Sequence, residues 1–177
     1  MEFKHSHIKG LVEIIPPIFN DERGFFFEGY SKKRFEENGI PFNFVQDNQS
    51  FSHKNVLRGL HFQKEPFAQG KLVRVITGKA LDIAVDIRPK SPTFGQWQSF
   101  LLESKSNNML YVPEGFAHGF VALEDTILLY KCTNLYSKVS EGGIIWNDKD
   151  LNINWGVTNP IISEKDMVLG SFIECLT

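Results

Sequence analysis

Ala80-Leu81-Asp82-Ile83-Ala84-Val85-Asp86-Ile87-Arg88 is the stretch that decides the fold. Leu81, Ile83, Val85 and Ile87 fall on one side of an extended chain, and Asp82, Ala84 and Asp86 on the other. A period of two belongs to a strand, whose successive side chains point to opposite faces. Another apolar run, 71–77, comes just before it, and Thr77-Gly78-Lys79 between the two reads as a hairpin turn. Outward from this pair, strands are predicted at 12–18, 24–28, 42–45, 56–63, 96–102, 108–112, 119–123 and 126–133. One helix is predicted over 32–38, with Ser31 as its N-cap and Gly39 at its C-terminal end. Many short strands with regular punctuation predict an all-β sandwich or barrel with few short helices.

The 177 residues fit one domain, 1–177, and no linker, long repeat or low-complexity tract divides them. A formal net charge of −2 provides no basic field for nucleic acid. Sixteen Phe, three Trp and four Tyr suit strands and stacking surfaces. Cys132 and Cys175 belong to no ligand-spaced pair, which argues against a disulfide scaffold or a structural zinc site. The N-terminus has no apolar core of signal-peptide length, and no run of about 18 apolar residues occurs. No membrane span is expected, and a cytoplasmic location is.

Five histidines occur. His5 and His7 are terminal, and His53 sits in a polar turn. His61 and His118 lie in apolar runs, where each is either a hydrogen-bonded core residue or a functional group. Lys71 begins the strand that follows His61. Imidazole accepts a proton near neutrality, and an ammonium beside it can hold a developing oxyanion. Base plus cation is the minimum for removing a proton next to a carbonyl.

Further candidates surround this pair. Tyr130 ends an apolar run and is either a core tyrosine with a wet tip or a proton donor facing His61. The segment Ser163-Glu164-Lys165-Asp166 is either a solvated charge run, or it supplies Asp166 to orient His61 and Lys165 to reach a phosphate. Tyr136, near Glu141, could stack on a planar base. Gln46-Asp47-Asn48-Gln49 is either an ordinary loop or a polar pocket wall. Arg23 stands at the mouth of a strand that Glu28 ends. Strict alternation places Arg58 on the face opposite His61, so Gly59 is expected to host a bulge that re-aims one of them.

Pro113-Glu114-Gly115-Phe116-Ala117-His118 resembles the second motif of cupin barrels, PxGxxH. Their first motif supplies metal ligands as HxH followed by Glu, whereas here His61 has Gln63 two residues later. Zinc and non-haem iron sites need about three His, Cys or carboxylate ligands, so a barrel without a metal is expected.

Eight segments in order carry a closer resemblance. They are Asp-Glu-Arg-Gly-Phe-Phe (21–26), Val-Gln-Asp-Asn (45–48), Leu-Arg-Gly-Leu-His-Phe-Gln (57–63) and Gln-Gly-Lys-Leu-Val-Arg-Val (69–75). The others are Asp-Ile-Arg-Pro-Lys-Ser-Pro-Thr-Phe-Gly (86–95), Val-Pro-Glu-Gly-Phe-Ala-His-Gly-Phe (112–120), Tyr-Lys-Cys-Thr (130–133) and Ile-Ile-Trp-Asn-Asp (144–148). Together they resemble the dTDP-4-dehydrorhamnose 3,5-epimerase family, from about residue 8 to Asp166.

The resemblance implies a cupin-type jelly roll that works as a homodimer without cofactor or metal. It implies conversion of dTDP-4-dehydro-6-deoxy-D-glucose to dTDP-4-dehydro-L-rhamnose, in dTDP-L-rhamnose synthesis. By motif position His61 matches the family's base, Tyr130 its acid, Asp166 the carboxylate paired with the base, and Lys71 the lysine near the keto oxygen. Arg23, Glu28, Gln46, Asp47, Asn48, Arg58, His118, Glu141 and Lys165 match ligand-binding positions. Tyr136 falls where the family stacks a ring on thymine, and Asp82 matches as a partner for His118. A C3-only epimerase, a metal-dependent cupin and a non-catalytic sugar-nucleotide-binding module are the alternatives. Retention of His61, Lys71, Tyr130 and Asp166 together argues against the last.

Overall fold

The computed structural model describes residues 1–40 and 43–174. Its strands in chain order are β1 (Glu2–His5), β2 (Val12–Ile15), β3 (Phe19–Asp21), β4 (Gly24–Phe26), β5 (Gln46–Ser52), β6 (Leu57–Gln63) and β7 (Lys71–Thr77). They continue as β8 (Lys79–Asp86), β9 (Trp97–Glu103), β10 (Met109–Val112), β11 (Phe116–Ala122), β12 (Thr126–Cys132) and β13 (Glu141–Gly143). The helices are short: α1 (Lys32–Glu37) and α2 (Glu164–Met167).

Six strands form one antiparallel sheet in the order β1-β2-β10-β7-β12-β5, and five form another in the order β13-β6-β11-β8-β9. The inner core joins them. Val73, Val75, Leu110 and Leu128 from the first sheet pack with Ala80, Ala84, Phe116 and Phe120 from the second. The architecture is a cupin-like jelly roll, as the all-β reading predicted.

The period-two reading of β8 holds, with both faces buried. Ala84 faces the inner cluster, while Ile83 and Val85 pack outward with Trp155, Leu151 and Phe172 of the C-terminal segment. The five-stranded sheet therefore has a second hydrophobic layer on its outer face. β11 sits beside it and is buried along its whole length. Its Phe116, His118 and Phe120 alternate with Ala117 and Val121, which join the outer layer. His118 is thus forced inward between two phenylalanines.

Several boundaries differ from the sequence reading, each for a physical reason. Thr77-Gly78-Lys79 is not a hairpin turn: β7 and β8 lie in different sheets, and the chain crosses between them at Gly78. Gly78 has φ +85, and a Cβ there would lie 2.2 Å from the Asp125 carbonyl oxygen, so the corner needs glycine. The run 12–18 breaks after Ile15, because Pro16 and Pro17 lack the N–H that a ladder needs. Of the predicted strand at 42–45, Phe42 lies outside the described residues, and 43–45 precede β5 without joining it. Gln46-Asp47-Asn48-Gln49 is no loop but the first half of β5, where polar side chains line an interior that is itself polar. The strand expected at 119–123 begins at Phe116, which brings His118 into the ladder.

The bulge expected at Gly59 is present. Between β11 and β6 the register passes from His118↔His61 to Phe120↔Arg58, so β6 carries one extra residue over that step. Arg58 and His61 consequently face the same interior. Gly59 has φ +130, and a Cβ there would lie 2.6 Å from Gly119 Cα. Gly59→Ala is expected to destabilise the fold by about 3 kcal/mol, from the strained φ and the backbone clash together. Urea unfolding measures this; an unchanged midpoint would show that the close β6–β11 approach is not needed.

Candidate active site

Between the two sheets lie two adjoining hollows of ≈ 340 and ≈ 300 Å³, and His61, Lys71 and Tyr130 line both. The walls are sequence-determined. β7 and β12 pair with Lys71 opposite Cys132 and Tyr130 opposite Val73, so Lys71 and Tyr130 enter from the six-stranded sheet. His61 on β6 enters from the five-stranded sheet. Base and acid candidates therefore stand on opposite walls.

Asp166 makes the imidazole directional. Its Oδ1 lies 2.8 Å from His61 Nε2, and its Oδ2 accepts from the Gly59 amide at 3.2 Å. α2 holds the carboxylate there: Ser163 caps the helix, its Oγ accepting from the Asp166 amide at 3.1 Å. Asp166 is 4% exposed. Burial pushes its carboxyl up, but the hydrogen bond and charge of His61 and the Gly59 amide outweigh this and hold it below the usual carboxylate range. A carboxylate bonded to one ring nitrogen fixes the tautomer and leaves the other nitrogen to exchange protons.

His118 has an equivalent partner, with Nε2 lying 2.9 and 3.0 Å from the two oxygens of the fully buried Asp82. β11 and β8 place Phe120 opposite Asp82 and Ala84 opposite His118, so the pair meets diagonally across the ladder. At the mouth, Lys165 Nζ donates to Glu141 Oε1 at 2.6 Å and Tyr136 Oη donates to Glu141 Oε2 at 3.1 Å. Burial raises the Glu141 carboxyl, while the bonds from Lys165 and Tyr136 bring it below its ordinary value. Gln46 Nε2 donates to Asn48 Oδ1, and Gln46 Oε1 accepts from the Tyr136 amide, both at 3.0 Å.

The charge balance of this cavity is informative. Each carboxylate lining or backing it is held by its own partner: Asp166 by His61, Asp82 by His118, Glu141 by Lys165. Among the described residues, Lys71 and Arg58 form no ion pair, so two cations are available to an anionic ligand. Arg58 is aimed by its bonds to Ser52 Oγ and the Phe51 carbonyl, both at 3.0 Å. Burial pushes the Lys71 ammonium down, against the opposing pull of Cys132, Asp82 and Glu141. Burial pushes the Tyr130 phenol up, Cys132 adding to this and Arg58 opposing it. Among the described residues no group of three or more His, Cys, Asp or Glu is placed to hold a metal ion.

Three expected positions lie elsewhere in the single chain. Asp47 points out of the barrel, because it alternates with Gln46 and Asn48 along β5, and it pairs with Lys131 at 2.9 Å. Arg23 is at the tip of the β3–β4 hairpin, paired with Asp21 and 85% exposed. Glu28 pairs with Arg34 at 3.1 Å, beside α1. The structure also adds residues that the sequence reading did not assign. Gln63 Nε2 donates to the Phe67 carbonyl at 2.6 Å and its Oε1 accepts from the Ser137 amide at 2.7 Å, bracing the loop that carries Tyr136. Gln69 braces the same loop through the Asn134 carbonyl at 2.7 Å. Ser163 was likewise not assigned, although its three-residue spacing to Asp166 is a capping-box signal.

Similarity to known proteins agrees with this geometry. The family model of dTDP-4-dehydrorhamnose 3,5-epimerase matches residues 5–174. An enzyme of that name from Shigella flexneri is 53% identical over 161 residues, 90% of this chain and 89% of that protein. The crystal structure of dTDP-4-dehydrorhamnose 3,5-epimerase from Elizabethkingia anophelis superposes with a TM-score of 0.94 at 46% identity, covering 98% of this chain and 97% of that one. A Legionella pneumophila dTDP-6-deoxy-D-glucose-3,5-epimerase, solved in complex with dTDP-4-keto-L-rhamnose, superposes at 0.93 with 44% identity over 97% of this chain and 93% of its own. By the family model over residues 5–174 and the identity to these enzymes, this chain belongs to the dTDP-4-dehydrorhamnose 3,5-epimerase family.

Proposed function

We propose that this protein epimerises C3 and C5 of dTDP-4-dehydro-6-deoxy-D-glucose, giving dTDP-4-dehydro-L-rhamnose for dTDP-L-rhamnose synthesis. The observation that carries the reading is a carboxylate-oriented imidazole facing a half-buried phenol across a hollow that also holds an ammonium with no ion pair among the described residues. Both carbons are α to the C4 carbonyl, so each C–H is acidic only through an enolate. His61, oriented by Asp166, removes the proton from one face. Lys71 neutralises the enolate oxygen. Tyr130, kept protonated by its burial, returns a proton from the other face and inverts the centre. Arg58 and Lys165 hold the diphosphate, and Tyr136, with Gln46 and Asn48 beside it, receives the thymine. Binding of the nucleotide in this way positions the sugar for the chemistry.

Incubation with the substrate, a 4-keto reductase and NADPH tests the reading. It predicts dTDP-L-rhamnose; release of unchanged substrate would count against it. The same reading takes 1–177 as one domain and assigns it to the cytoplasm, where nucleotide-sugar synthesis would supply its substrate. No helix among the described residues is long and apolar enough to cross a membrane.

The same reading includes a homodimer. Among the described residues β3 and β4 pair only with each other, and Phe19, Phe25 and Phe26 are 62%, 62% and 69% exposed. Phe51 and Val45 add exposed apolar surface on and just before the edge strand β5. A second copy would cover these rings. It would also bring Arg23, remote from the cavity of its own chain, to the cavity of the other. Co-expressed Arg23→Ala and His61→Asn chains are then expected to recover about a quarter of the wild-type rate, because half the dimers carry one intact site. No recovery would place Arg23 outside the other copy's site.

A further inference from the structure

β5 presents Gln46, Asn48, Ser50 and Ser52 to the interior at the strand period. Three of the four are engaged with protein groups. Gln46 bonds Asn48, Asn48 Nδ2 reaches Cys132 Sγ at 3.5 Å, and Ser52 Oγ accepts from Arg58. Ser50 differs: its Oγ is buried and has no hydrogen-bond partner among the described residues. Directly across the ladder stands Leu128, which offers nothing polar. Ser50 lines the hollow that His61, Lys71, His118 and Tyr130 also line. A buried hydroxyl without a partner costs free energy, and folds seldom keep one that nothing satisfies.

We propose that Ser50 is a further substrate-binding residue, whose Oγ hydrogen-bonds a ring hydroxyl of the hexose and fixes its rotation between His61 and Tyr130. A serine hydroxyl both donates and accepts, as a sugar hydroxyl does. On the epimerase reading Lys71 meets the keto oxygen and Arg58 the diphosphate, which leaves the ring hydroxyls to be bonded. A site that bonds a substrate hydroxyl also discriminates against analogues lacking it, because its own polar atom is then left unpaired. The inference rests on the epimerase reading.

Ser50→Ala tests it, assayed on dTDP-4-dehydro-6-deoxy-D-glucose and on its 2-deoxy and 3-deoxy analogues, with Tm measured alongside. The expected result is a roughly 10-fold loss of kcat/KM on the parent substrate, carried mainly by KM. Tm stays level or rises, since an unsatisfied hydroxyl has been removed. The loss shrinks to within about twofold on whichever analogue lacks the partner hydroxyl. Unchanged constants on the parent substrate overturn the inference, and so does an equal loss on all three substrates. A wild type without turnover overturns the epimerase reading and the inference with it; an active wild type and an indifferent Ser50→Ala overturn the inference alone.

Discussion

His61→Asn is expected to lower kcat/KM for epimerisation by about 10³-fold while leaving nucleotide affinity and Tm close to wild type. Asparagine matches much of the imidazole's volume and can still donate to Asp166 Oδ1, which lies 2.8 Å from the histidine ring. It cannot accept a proton from carbon. The loss therefore falls on kcat. Steady-state kinetics with dTDP binding by calorimetry separates the two effects. Retained turnover would move the base elsewhere, and His118, already committed to Asp82, would be the first residue to examine.

Lys71→Met is expected to cost about 10²–10³ in kcat, the typical effect of deleting one oxyanion donor. Stability should move the other way. The ammonium is buried without an ion pair among the described residues, so replacing it by an apolar chain of similar length relieves a desolvation cost. Urea unfolding should show an equal or higher midpoint. The pH profile carries the same signature. Burial lowers the Lys71 pKa, so the protonated form is lost, and the rate with it, at a lower pH than for a free lysine. Tyr130 is pushed upward by its burial and stays protonated through that range. The alkaline limb of kcat/KM therefore reports Lys71. An alkaline limb at or above the ordinary lysine value would contradict this assignment.

The core strands were legible because their pattern is local. Alternation in Ala80-Leu81-Asp82-Ile83-Ala84-Val85-Asp86 states which residues share a face, and those faces meet the inner core between the sheets and the outer layer of the C-terminal segment. The bulge at Gly59 was legible for the same reason, since strict alternation could not put Arg58 and His61 together. Sheet membership was not. Whether Gly78 closes a hairpin or carries the chain across depends on contacts with Asp125 and Thr126, far along the sequence. β5 was hidden by its polarity: strand patterns are read from apolar residues, and this strand faces a polar cavity. Asp47 faces solvent while its neighbours Gln46 and Asn48 face the cavity, as one residue of register decides between the two. Ser50 carries no signal in sequence, because a serine's significance lies in having no neighbour to bond.

The central claim is a proton exchange at two carbons flanking one carbonyl, between His61 and Tyr130 on opposite walls. Running the reaction in deuterium oxide and following the sugar by NMR tests it most directly. The account predicts deuterium at both C3 and C5 in wild type. Incorporation at C3 alone would make the protein a C3-only epimerase, and incorporation at neither carbon would contradict the account altogether.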